Sequence, residues 1–353
     1  ALGDEVGQAL PIAGRANECF VRARPVHGDD DFSAVYEAIG IKGKRVGVLF
    51  DFDGTLGDTE TPAMQVAFWE LAPYIVGANA DTVSAMCAPY VQDNAGKAFE
   101  FMLEALDSER SAAGLAPVSE SKDTVAPALI AVVDEQRKAF GLKPLKETSA
   151  EKSLLEQQKD ETVEALAVCA EANPTVRETL NGLRSAGVSF CIATTSGKPR
   201  VPVCVDACGL RAFFPPHSIH SGESDFTPPA FKPAPDVYLK AAESVGLPPH
   251  RCVAVEDSGS GVGSAANAKI GFIVGYVGAT HIPSENKASH AGMLLAGEKS
   301  LDGRGADVVI ELFSDLLPLV QHFDAISAVV SPDAGRVEIP ATVMASLKGL
   351  YWV

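Results

Sequence analysis

The segment Val46-Gly47-Val48-Leu49-Phe50-Asp51-Phe52-Asp53-Gly54-Thr55-Leu56 decides how the rest of the chain is read. Its apolar first half, closed by two acids and a glycine, has the pattern of a strand buried on both faces of a parallel sheet. Asp51 and Asp53 then stand at the carboxyl end of that strand, where open α/β sheets place their ligands. Residues two apart on an extended chain point to the same side. Two carboxylates held so close repel, and a bound dication or a shared proton relieves the repulsion. A strand that simply ends in an acidic turn is the alternative reading of these residues alone.

Outward from this segment, the alternation of elements sets the fold class. Asn173-Pro174 reads as a helix cap with Pro in the first turn, and the helix runs to about Ser185. Strands fit Val188 to Ala193, the neighbourhood of Ile219, Cys252 to Val255, Phe272 to Val277 and Ala306 to Ile310. Helices fit Val201 to Cys208, Asp236 to Val245 and Ser314 to about Phe323. Strands and helices alternating at this spacing predict an α/β fold with a doubly wound parallel sheet. Between the first and second strands the pattern changes. After a helix start at Thr61-Pro62, apolar residues recur at helical spacing through Val66, Trp69, Leu71 and Ile75. Further helices fit Asp81 to Tyr90, Ala95 to Leu106, Thr124 to Phe140 and Ser149 to Ala170.

The expected organisation is an N-terminal extension over 1–43, a core domain made of 44–56 and 173–323, an inserted helical domain over 57–172, and a C-terminal tail over 324–353. In the tail, Arg336 to Ile339 reads as a strand, and a helical end carries Tyr351 and Trp352. Basic residues of the insertion (Lys97, Arg110, Arg137, Lys138) are candidates for substrate contact.

Composition narrows the partners. The 353 residues are 46% hydrophobic and 21% charged, as in soluble globular proteins. A formal net charge of −17 argues against nucleic acid or an anionic membrane surface. No apolar run approaches the length of a membrane span, and there is no signal-peptide pattern. Seven scattered cysteines, an odd number, do not make a disulfide framework. Cys204 and Cys208 lack further ligands for zinc and read as core residues. A soluble protein of a reducing compartment is expected, in the cytoplasm or an organelle matrix such as the plastid stroma.

Three more motifs, at or near predicted strand ends, follow the first. Ile192-Ala193-Thr194-Thr195-Ser196 is a buried strand ending in hydroxyls, which also suits simple loop chemistry. In Phe231-Lys232-Pro233-Ala234-Pro235-Asp236 the prolines restrict the backbone around a lysine that would otherwise read as a solvated charge. Val255-Glu256-Asp257-Ser258-Gly259-Ser260-Gly261-Val262 is again a strand running into acids and glycines. Its glycines suggest a dinucleotide loop, but the Gly-x-Gly-x-x-Gly spacing fails at Ser264 and no acid ends the next strand.

Taken together, the four motifs resemble those of the haloacid dehalogenase-like (HAD) phosphotransferases over about residues 45 to 322. The resemblance implies a HAD-like core with an inserted helical cap of the C1 type, the group that includes phosphoglycolate phosphatase and β-phosphoglucomutase. It implies a magnesium-dependent phosphatase acting on small phosphorylated metabolites, sugar phosphates first, through an aspartyl-phosphate. In that scheme Asp51 is the nucleophile, Asp53 the acid and base, and Thr194 and Lys232 hold the phosphoryl oxygens. Asp51, Asp53 through its backbone carbonyl, Asp257 and Glu256 serve the magnesium, while Gly54, Thr195 and Ser258 join the substrate site. The rivals are a phosphosugar mutase and a non-catalytic binding or assembly subunit. In β-phosphoglucomutase a histidine just inside the cap accompanies the switch of the acid/base residue. Ala63 stands at the corresponding place here, and no histidine lies between His27 and His217. Phosphate release to water is therefore expected over transfer to a sugar.

Overall fold

The apolar run forms β1 (Gly47–Phe50), an interior strand of the sheet with every residue buried. The structure is a computed structural model that describes residues 46–94, 97, 99–121, 125–148, 152–327 and 336–353; the expected N-terminal extension over 1–43 lies outside them. After β1 the chain turns into the short β2 (Gly57–Asp58). Next come α1 (Glu60–Leu71), α2 (Val83–Asn94), α3 (Phe99–Ala112), α4 (Pro127–Ala139) and α5 (Leu154–Cys169). The return strand β3 (Glu171–Ala172) pairs antiparallel with β2, so a two-strand ribbon closes off the helical stretch at both of its ends.

Alternation then resumes with α6 (Val176–Ser185), β4 (Ser189–Thr194), α7 (Arg200–Ala207), β5 (Ile219–Ser221) and α8 (Asp236–Val245). It continues through β6 (Cys252–Glu256), α9 (Gly259–Asn267), β7 (Phe272–Tyr276), α10 (Lys287–Ala296) and β8 (Val308–Ile310). The chain finishes with α11 (Leu316–Ile326), α12 (Ala341–Met344) and β9 (Tyr351–Trp352).

The sheet order is β5-β4-β1-β6-β7-β8-β9, parallel from β5 to β8. Phe50 is level with Ile192 of β4 and Val255 of β6. The residues that follow all three therefore emerge at one end of the sheet, which brings Asp51, Thr194 and Glu256 to the same rim. Both faces are covered, so β1 reads as continuous apolar sequence. The Phe50 ring lies 6.1 Å from that of Phe190, 6.2 Å from Phe214 and 6.0 Å from Phe313.

The helical stretch packs differently. Its apolar residues form three small clusters, centred on Leu71 and Met102, on Phe68 and Val133, and on Val66 and Leu142. Residues of α1 contribute to all three, which is why this helix is apolar around most of its circumference instead of along one stripe. Fully buried Arg137 of α4 pairs with Glu161 of α5 at 2.8 Å and donates to the Lys143 carbonyl. Glu70 of α1 is buried as well, and burial, then the neighbouring Glu161, hold its carboxyl well above the usual range.

Three sequence expectations need correction. Asn173 does not cap the next helix: α6 starts at Val176 after Thr175, whose backbone is left-handed. The Asn173 side chain instead donates to the carbonyls of Gly54 (2.7 Å) and Thr55 (3.0 Å), tying the end of the ribbon to the first motif. Tyr351 and Trp352 are not helical: they form β9, antiparallel on β8, and cover an edge whose backbone groups would otherwise be unpaired. Arg336 to Ile339 is no strand; Val337 donates its N–H to the Asp307 carboxylate, not to a ladder.

Candidate active site

Three acids meet where β1 and β6 end. Asp51, Glu256 and Asp257 are buried, and each offers an oxygen within 4.8 Å of the others. Lys232 reaches in from the loop before α8, with Nζ 2.5 Å from Asp51 Oδ1 and 2.6 Å from Glu256 Oε1. Its ammonium side chain is only 3% exposed. Burial would lower the lysine, but Asp51 and Glu256 outweigh it and hold the ammonium charged. Tyr238 of α8 donates its hydroxyl to Glu256 Oε1 at 2.7 Å.

One lysine cannot neutralise three buried carboxylates. Burial, offset in part by Lys232 and reinforced by Glu256 and Asp53, lifts Asp51 to about 8. Burial, with the charges of Asp51 and Glu256, pushes Asp257 well above its ordinary value. This excess of negative charge is what a divalent cation relieves, and an all-oxygen donor set suits a hard ion of the magnesium or calcium kind. The residues fit such an ion.

Two glycines make the cluster possible. Gly54 has φ +82°, and a Cβ there would lie 2.0 Å from Asp257 Oδ2. At Gly261, a Cβ would lie 1.8 Å from Glu256 Oε2. The N–H of Gly54, a residue expected to join the substrate site, donates to the Gly57 carbonyl at 2.9 Å.

Asp53 stands apart from the three acids in a cradle of donors. It accepts from Thr59 Oγ1 and Ser196 Oγ, both at 2.6 Å, and pairs with Arg200 Nη2 at 2.8 Å. Burial works to raise its carboxyl, but the Arg200 guanidinium and the two hydroxyls prevail and hold it below the usual range. Thr194 is buried at the end of β4, where its Oγ1 accepts from the Ser196 N–H at 3.1 Å. Ser258 caps α9, its Oγ accepting from the Gly261 N–H at 3.1 Å. Asp51, Asp53, Thr194, Thr195, Lys232 and Ser258 all line one cavity of about 680 Å³.

Sequence reasoning missed several side chains here. Ser196 ends the second motif without a role assigned to it, and Lys198-Pro199-Arg200 just after it gave no sign that Arg200 turns back onto Asp53. His281 and His290 come from the segment between β7 and β8, which includes α10 and carried no recognised motif. His281 Nε2 lies 3.5 Å from Asp257 Oδ2, and His290 Nε2 lies 2.6 Å from the Asp257 carbonyl. Burial, foremost, lowers His281 below its ordinary value, against the opposing pull of Asp58.

Of the basic residues of the insertion, Lys97 lines the cavity. Arg110 does not: it is buried against the carbonyls of Tyr74 and Ala116 and the hydroxyl of Ser121. Arg137 is likewise taken up by Glu161, and Lys138 is an exposed residue of α4 away from the cavity.

The haloacid dehalogenase-like hydrolase family model matches residues 46–269, the span that contains all four strand-end motifs. The chain belongs to this family. Protein CbbY of Rhodobacter capsulatus is 32% identical over 101 residues, 29% of this chain and 44% of that protein. A protein of Drosophila melanogaster named probable pseudouridine-5′-phosphatase is 35% identical over 147 residues, 40% of this chain and 60% of its own. The matched segments thus span about half the length of these curated relatives. A haloacid dehalogenase-like protein of Agrobacterium tumefaciens shares the fold, with a TM-score of 0.53 at 24% identity, over 79% of this chain and 99% of that one. Among the described residues of this HAD protein, no helix is long and apolar enough to cross a membrane.

Proposed function

We propose that this protein is a magnesium-dependent phosphatase of small phosphorylated metabolites, sugar phosphates foremost, working through an aspartyl-phosphate. The observation that carries the reading is the convergence of Asp51, Glu256 and Asp257 on buried Lys232, with Asp51, Asp257 and Lys232 lining one cavity. Relatives named CbbY and probable pseudouridine-5′-phosphatase agree with it. Asp51, Asp257, Glu256 and the Asp53 backbone carbonyl would hold the magnesium ion, which supplies charge compensation between nucleophile and phosphate.

Asp51 attacks the phosphorus in line as the leaving alkoxide departs. Lys232 and the Thr194 hydroxyl hold the phosphoryl oxygens as charge builds on them. Asp53 gives the alkoxide its proton and then takes one from the water that hydrolyses the acyl phosphate. Donating requires that Asp53 arrive protonated, which its pairing with Arg200 opposes, so the acid must leave this cradle or loosen it when substrate binds. The helices between β2 and β3 act as a cap that closes on the bound ester and excludes water.

A panel of phosphate esters with magnesium, scored by inorganic phosphate, tests the reading; no release from any ester would reject it. Water, not a second sugar hydroxyl, is the expected acceptor, because the insertion holds no histidine. ¹³C NMR of a labelled sugar phosphate, primed with a trace of bisphosphate, should show phosphate release outrunning isomer exchange. The opposite order would make the protein a mutase.

A further inference from the structure

A second cavity, of about 600 Å³, adjoins the reaction cavity, and the two share Glu60, His281, Pro283 and Asn286 as walls. One side of the second cavity is built by α1, α2 and α4 of the helical stretch. The other is the segment after β7 that brings in His281. Its volume is that of a small-molecule site, which as a rule combines apolar walls with a few placed polar groups. Trp69 and Phe140 supply aromatic surface, and Met64 adds a flexible apolar wall. Four side-chain amides, Gln65, Gln92, Gln136 and Asn286, are spaced around it.

The charges are as informative as the apolar residues. No lysine or arginine lines this cavity, and its charged residues are Glu60 and Glu285. A second phosphate or a carboxylate placed there would meet like charge and no cation. Lys97, the basic residue of the insertion that reaches the site, lines only the reaction cavity. Aromatic walls with amide donors and acceptors suit a flat, uncharged, hydrogen-bonding ring, because stacking tolerates any π face and an amide matches a base edge.

We propose that the second cavity is the leaving-group subsite, and that it takes an uncharged alcohol bearing a heterocyclic ring, such as the nucleoside part of a nucleoside 5′-monophosphate. This rests on the phosphatase reading and sharpens it: the preferred sugar phosphate carries a base, not a second phosphate. The ring stacks between aromatic surfaces while the glutamines read its edge, and the 5′-phosphate extends past Glu60 to Asp51.

The test compares kcat/KM of the 353-residue chain, with magnesium, for uridine, pseudouridine and adenosine 5′-monophosphates, ribose 5-phosphate and fructose 1,6-bisphosphate. At least one nucleotide should exceed ribose 5-phosphate by tenfold or more. In Gln136→Ala and in Gln92→Ala, on the solvent side of α2, that ratio should fall severalfold. Calorimetry with the unphosphorylated nucleosides reports on the cavity without any turnover. Nucleoside binding weakened by Gln136→Ala, with no ester hydrolysed, would retain the subsite and reject the phosphatase reading. Hydrolysis of ribose 5-phosphate or the bisphosphate with no gain from a base would reject the subsite alone. So would nucleoside binding that neither glutamine variant weakens.

Discussion

The sheet and the helical stretch solve the problem of burying charge in opposite ways. At the sheet, Asp51, Glu256 and Asp257 crowd around a single lysine and leave negative charge uncompensated at a place a ligand can reach. In the helices, Arg137 and Glu161 pair closely inside the packing, and burial and Glu161 push the Glu70 carboxyl beside them well above its usual range. The first arrangement is costly until a cation and a phosphate arrive. In the second, Arg137 answers Glu161 inside the packing, and Glu70, with no ion pair of its own among the described residues, carries a raised carboxyl instead. Uncompensated buried charge that opens on a cavity therefore marks the working region, and buried charge enclosed in the packing marks scaffold.

The sharpest way to break this contrast is at Asp51. Asp51→Asn keeps the shape, removes the nucleophile, and should cut phosphate release by on the order of a thousandfold or more. Circular dichroism and thermal melting should show the fold intact, since the change removes one of three crowded charges. Substantial residual turnover, free of wild-type enzyme, would mean the cluster is not the reaction centre.

Next in size come Lys232 and Asp257, whose losses should differ in kind. Lys232→Ala removes the compensating cation and should cost roughly a hundredfold or more in kcat, even at saturating magnesium. Asp257→Ala should shift the magnesium concentration needed for half-maximal rate upward and recover activity as the metal is raised. Equal rescue of the two variants by magnesium would undo the division between clamp and ligand.

Packing offers a third comparison. Phe50→Ala opens a hole among three other rings in the centre of the molecule and should cost about 3–5 kcal/mol in urea denaturation. Leu106→Ala, in one of the small helical clusters, should cost near the lower end of the range for such truncations, about 2 kcal/mol, because a small cluster relaxes more readily. A larger loss at Leu106 than at Phe50 would show that the helices, not the sheet, limit stability.

The smallest effect is the most specific. Glu70 is held above the usual carboxylate range, so its contribution is fully present below the unfolded value and is lost as pH rises through the folded one. Glu70→Gln stays neutral throughout and should flatten the stability profile, raising Tm by a few degrees near pH 8 and by less near pH 5. No gain at the higher pH would mean that the Glu70 charge is compensated after all.

What the sequence determined by itself is local chemistry repeated at strand ends. An apolar run ending in an acid, a hydroxyl or an acid pair needs no distant partner to be recognised, and parallel topology carries all such ends to one rim. Asp51, Thr194, Glu256 and Asp257 were legible for that reason, Lys232 through the prolines that follow it, and the insertion through the change to helical periodicity between Gly57 and Ala172. What only the tertiary structure decided is where long or mid-loop side chains turn. Arg200 reaches Asp53 across the sheet end, and His281 and His290 arrive on a segment with no periodicity or motif to announce them. Asn173 looked like a cap because its neighbour is proline, yet two carbonyls of the first motif compete for its amide and win. Tyr351 and Trp352 joined the sheet because β8 would otherwise leave an open edge, a demand set by distant strands and invisible in the last residues themselves.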